Sequence, residues 1–176
     1  MSDGTIEQRD GRVTFRYERR LHHPIAVVWK AITDPFEIER WTGVRPEIDL
    51  KPGGQYVSYH RGGDRVVDRI LRLDPPRLFE HTFWVHVNPT AVVTWELSPI
   101  EGGCLLRLTH SLGMEDLRTA TATVARGDDF TMILSRNGAG WHRLLDKLQA
   151  SLDGTSDTWS EEDQKRLQDR YAAMLA

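Results

Sequence analysis

The chain has 176 residues, of which 39% are hydrophobic and six are Trp, enough for one globular domain with a substantial core and too apolar for a disordered chain. Its formal net charge of −3 arises from interspersed signs, with no basic block that would suit nucleic acid and no apolar run near the roughly 20 residues that span a bilayer. A single Cys104 cannot form an intrachain disulfide, and the acidic opening MSDGTIEQRD lacks the basic and apolar regions of a signal peptide, so the expectation is a soluble protein of the reducing cytoplasm.

Met1 to Gly11 is polar and reads as a loose end. From Arg12 to Leu21 the text alternates, with Val13, Phe15, Tyr17 and Leu21 on one side and Thr14, Arg16, Glu18 and Arg20 on the other, which is the pattern of a half-buried strand. Pro24 suits the first turn of a helix carrying Ile25, Val28, Trp29 and Ile32, Asp34-Pro35 interrupts it, and Phe36 to Trp41 is a second short helix. Period-2 segments then follow near 47–51, 54–61, 65–74, 78–87, 91–99 and 104–112. They are separated by Gly- and Pro-rich turns too short for anything but antiparallel neighbours, so the sheet has about seven strands. Val93, Trp95 and Leu97 are expected to face inward in one of these strands, and Leu106, Leu108, His110 and Leu112 in the last.

Asp129 to Leu152 reads as one long amphipathic helix, capped by Asp128 or Asp129 and ended by Gly154. Phe130, Ile133, Leu134, Trp141, Leu144, Leu145, Leu148 and Leu152 form its apolar stripe, with Arg136, Arg143, Asp146, Lys147 and Ala150 opposite. Asn137, Gly138 and Gly140 interrupt that stripe. Either they allow close packing or a kink, or they leave room for a guest between helix and sheet. The division expected is a sheet-and-helix domain over 1–154 and a helical extension over 155–176. In that extension Ser160 and Asp163 resemble a capping box, and Leu167, Tyr171, Met174 and Leu175 make a short stripe that docks on the same domain or on a second copy.

Five stretches, RRLHHPIAVVWKAITDPFEIERW, LKPGGQY, DPPRLFEHTFW, VTWELSPIEGGCLLRLTHS and GAGWHRLLDKLQASLDG, resemble in this order the START/SRPBCC superfamily, in its branch similar to the activator of heat-shock-protein ATPase. The resemblance implies an α+β helix-grip fold, a curved antiparallel sheet wrapped around the C-terminal helix with a cavity between them. Members bind lipids, hormones, polyketides or other apolar molecules there, and some are cyclases. Function does not follow from fold alone.

Chemistry is sparsely written. The adjacent pair His22-His23 has no ligand spacing, no HExxH or CxxC pattern occurs, and no metal or cofactor is expected. No GxSxG is present, and Cys104 is placed at a turn beside two glycines. Candidate pocket residues are Tyr56, Phe83, Trp95, His110, Asn137 and Trp141, aromatic walls with a few polar groups; His81 is a further inward candidate beside Phe83. The leading expectation is a binder of a small apolar or aromatic molecule. One alternative is a cyclase- or hydrolase-like enzyme with His110 or His142 as general base, although the default reading of each is a satisfied core histidine. The other is an interaction module with a chaperone or homodimer contact.

Overall fold

The structure, a computed structural model, describes residues 4–60, 63–123 and 130–175. Eight strands form one antiparallel sheet in the order β1-β2-β8-β7-β6-β5-β4-β3. They are β1 (Thr5–Arg9), β2 (Arg12–Leu21), β3 (Glu47–Ile48), β4 (Gln55–Tyr59), β5 (Arg65–Asp74), β6 (Leu78–Thr82), β7 (Val92–Ile100) and β8 (Gly103–Gly113). The eighth strand is β1, in the polar stretch expected to be a loose end. Asp10 and Gly11 both take positive φ (50° and 72°), the two-residue turn that an Asp-Gly pair favours, and fold β1 back onto β2.

Alternation decides which side chains meet the core. Phe15, Tyr17, Arg19 and Leu21 of β2, Val93, Trp95 and Leu97 of β7, and Cys104, Leu106, Leu108 and His110 of β8 are all buried on the concave face. Cys104 is therefore a strand residue opposite Leu21, not a turn residue. β6 ends at Thr82 rather than running to residue 87. The buried Asp68 carboxylate accepts from the Thr82 hydroxyl and from the backbone N–H groups of Trp84 and Val85, and this turns the chain out of the sheet. Trp84 is held at φ 54°, a conformation that bulky residues seldom adopt.

Between β2 and β3 run α1 (Ile25–Thr33) and α2 (Pro35–Thr42). Asp34 caps α2 by accepting from the N–H groups of Phe36 and Glu37, and Gly43 ends it in the left-handed conformation. A further helix not read from the sequence, α3 (Met114–Thr123), follows β8 directly; Asp116 in its first turn accepts from the backbone N–H of Thr90 at 3.2 Å.

The long helix α4 (Phe130–Leu152) has 23 residues, a rod of about 35 Å lying across the concave face. The Asp128 and Asp129 caps fall outside the described residues. Leu134, Trp141, Leu145 and Leu148 point into the sheet as the stripe requires, but burial does not stop there. Ser135, Ala139, His142 and Asp146, about 100° further round, are buried as well, because α5 (Glu161–Ala173) covers them with Leu167 and Tyr171. Asp146 is thus a core residue and not part of a solvated face. α5 opens on a Ser160/Asp163 capping box, with Asp in the place that Glu or Gln usually takes.

Candidate functional site

A cavity of about 350 Å³ opens between α2, β4 and α4. Ile38, Trp41 and Thr42 of α2 form one wall, Tyr56, Ser58 and Tyr59 of β4 a second, and Trp141, Leu144 and Lys147 of α4 a third, while His81, Phe83 and Trp95 reach it from the sheet and His60 from the end of β4. Its place follows from the phase of α4. Leu144 and Lys147 lie roughly 80–140° round the helix from Leu134, on the side opposite α5, where α2 and not the sheet is the neighbour.

The aromatic wall is mutually packed. The Phe83 ring centroid is 5.0 Å from that of Trp141, Trp95 meets Trp141 edge-on at 5.9 Å, and Tyr56 stacks on His81 at 4.9 Å with an interplanar angle of 6°. His81 donates from Nδ1 to the Thr82 carbonyl at 2.6 Å and accepts from the Trp95 indole at Nε2, 3.3 Å away, so both ring nitrogens are engaged. Burial lowers its pKa and keeps it neutral. Burial, with the charge of Asp68, pushes the Tyr56 phenol up to about 12, so that it stays a protonated donor. Its hydroxyl has no hydrogen-bond partner among the described residues. At the rim, Ser58 Oγ and His60 Nε2 are 3.0 Å apart, and burial lowers the His60 pKa.

Four of the six residues proposed from the sequence, Tyr56, Phe83, Trp95 and Trp141, meet in this cavity; His110 and Asn137 are not in its lining. His110 lies behind the wall, where its Nδ1 accepts the Trp141 indole N–H at 2.7 Å and its ring meets Phe83 edge-on at 5.2 Å. Desolvation takes its pKa down to about 3, so the imidazole is a neutral anchor for Trp141. Asn137 sits beside His110.

His142 is on the α5 side of α4, 3.0 Å from the Tyr171 hydroxyl and 3.5 Å from Asp146. The histidines that the sequence brought forward as bases therefore lie on two different faces of the helix, and neither lines the cavity. Gly138 leaves no room for a guest: a Cβ there would stand 2.6 Å from the Tyr171 ring and 2.9 Å from that of Phe15. Close packing is the reason for this glycine. Sequence reasoning missed Trp41, His60 and Lys147. Trp41 faces the cavity because α2 packs against α4, His60 because it follows β4 beside Ser58, and Lys147 lies on the side of α4 expected to be solvated. Among the described residues no group of three or more metal-ligating side chains is assembled.

A curved antiparallel sheet gripping a long C-terminal helix, with an aromatic cavity beside that helix, defines the helix-grip class of the SRPBCC superfamily. Solved structures share it. A conserved protein of unknown function, EF2215 from Enterococcus faecalis, superposes with a TM-score of 0.76 at 15% identity, over 98% of this chain and 90% of that one. CalU16 from Micromonospora echinospora gives 0.72 at 24%, over 98% and 95%, and MLL2253 from Mesorhizobium loti gives 0.62 at 24%, over 82% and 99%. The family model described as "Activator of Hsp90 ATPase homolog 1-like protein" matches residues 22–153, and the chain belongs to that family. No curated protein matches significantly. No helix among the described residues is long and apolar enough to cross a membrane.

Proposed function

We propose that the protein binds a small aromatic or apolar molecule in the cavity between α2, β4 and α4. The observation that carries this reading is the lining itself: Trp41, Phe83, Trp95 and Trp141 surround about 350 Å³ with a small set of polar groups among them, the composition and size of a small-molecule site. A pocket of this size, at the low end of the range of roughly 300–1,000 Å³, suits a ligand of one to three rings better than a long lipid.

The cyclase-like alternative needs a general base within reach of the substrate. His110 and His142 do not line the cavity and both nitrogens of His81 are engaged, so of the lining histidines this leaves His60 at the rim, its Nε2 against Ser58 Oγ, which weighs toward binding over turnover.

The test is a native mass spectrum of freshly purified protein beside that of Ser58→Trp, a half-buried lining position where a larger ring fills the cavity. A molecule retained by the wild type and lost from a variant that melts at the same temperature is the expected result. If the wild type retains nothing and no member of a panel of neutral and charged naphthalenes quenches its tryptophans, the reading is wrong.

A further inference from the structure

The lining of the cavity carries one formal charge, and it is positive. Lys147 is the only Lys, Arg, Asp or Glu among the lining residues, which otherwise offer rings, aliphatic groups, hydroxyls and neutral imidazoles. The chain has four lysines. Lys30 pairs with Glu37 at 3.4 Å, Lys51 with Asp49 at 2.8 Å and Lys165 with Asp169 at 3.0 Å. Lys147, alone of the four, has no carboxylate partner among the described residues.

Its neighbours on α4 do not supply one. Asp146 points to the opposite side, into its contact with Arg19, and Arg143 pairs with Asp157. A second donor stands in the same cavity without a protein acceptor, the Tyr56 hydroxyl. An ammonium in an aromatic, partly desolvated setting attracts an anion more strongly than one in open water, because the effective dielectric is lower and salt screens it less.

We infer that the cavity takes an aromatic carboxylate, its rings between the tryptophan walls and its carboxylate on the Lys147 ammonium, with Tyr56 as a second donor. This rests on the binding reading above and specifies the chemistry of the ligand. It also gives the Lys147 ammonium an anion that no described side chain supplies, Asp157 of the neighbouring groove being held by Arg143.

The experiment titrates 2-naphthoate and the neutral 2-naphthamide, two probes of nearly equal shape, into the wild type, Lys147→Met and Lys147→Arg, read by quenching of tryptophan fluorescence. The naphthoate is expected to bind the wild type about tenfold more tightly than the amide, the scale of one charge-assisted contact. That preference, read as the ratio of the two affinities within each variant, should shrink as salt rises, vanish in Lys147→Met and persist in Lys147→Arg. Equal binding of acid and amide by the wild type, or an undiminished preference in Lys147→Met, overturns the inference and leaves the cavity as an apolar binder. Failure of both probes to bind the wild type counts against the cavity as a ligand site and against the inference with it.

Discussion

Arg19 of β2 and Asp146 of α4 are 127 residues apart in sequence, and their side chains meet at 3.1 Å, each only 4% exposed. The pair ties the first long strand to the helix that covers it. Next to it, His142 approaches Asp146 and contacts the Tyr171 hydroxyl, which in turn accepts the backbone N–H of Gly4 at 2.9 Å. One polar chain thus links the N-terminal segment, α4 and α5 through an apolar core.

Breaking that pair from one side strands a buried charge. Asp146→Ala is expected to destabilise the fold by about 3–5 kcal/mol, while the double change Arg19→Met with Asp146→Leu should cost much less, since it removes both charges. Denaturant melts of the two variants check this; equal losses would show that Arg19 is not held by Asp146.

Two glycines of α4 should respond in opposite directions. Gly138→Ala drives a methyl into the rings of Tyr171 and Phe15 and should cost about 1–3 kcal/mol. Gly140→Ala meets nothing within 4 Å and should gain up to about 1 kcal/mol from helix propensity. Thermal melts of the pair decide the matter, and a destabilised Gly140→Ala would mean that the helix is packed differently there.

Acid should unfold the protein partly through His110. Its pKa falls from 6.5 to about 3 in the fold, so the unfolded chain binds the proton more readily. Stability from this group is complete above about pH 6.5 and is lost progressively as pH falls toward 3, on the order of 2 kcal/mol by pH 5. His81 and His60, also lowered by burial, act in the same direction. Free energies of unfolding measured from pH 8 to pH 4.5 should fall less steeply for His110→Gln, whose amide oxygen can still accept the Trp141 indole N–H. An unchanged slope would rule His110 out as a source.

Asp68 is expected to control the cavity from outside its lining. Asp68→Ala frees the N–H groups of Trp84 and Val85 and the Thr82 hydroxyl, so the turn that aims Phe83 at Trp141 loses its anchor. Loss of binding to an aromatic probe together with about 1–3 kcal/mol of stability is the expected outcome, the scale of a buried polar group left unsatisfied. Probe titration alongside a denaturant melt checks it.

The architecture was legible in the sequence because it is written in periods. Alternation in β2, β7 and β8 and the 3.6-residue stripe of α4 each report one buried face, and the order of elements leaves one way to cover a single-faced sheet. Asp10-Gly11 is a readable hairpin signal as well, but β1 is mostly polar, as an edge strand that buries little can be, so no alternation marks it. Strict alternation also places Arg19 inward between Tyr17 and Leu21, but a charge is buried only with a partner, and Asp146 lies 127 residues away in sequence.

What lay beyond the sequence depended on a third element. A helical wheel shows one apolar stripe and cannot show that α5 buries Asp146 and His142 on a second face, or that α2 leaves a cavity along a third. The roles of His110 and His142 were set in the same way. Each is a histidine near Trp141 in the chain or in the sheet, yet one anchors that tryptophan from behind and the other faces Tyr171. Residue types and periods determined which faces are apolar. Only tertiary packing decided which apolar faces were filled by the protein itself and which was left open to something else.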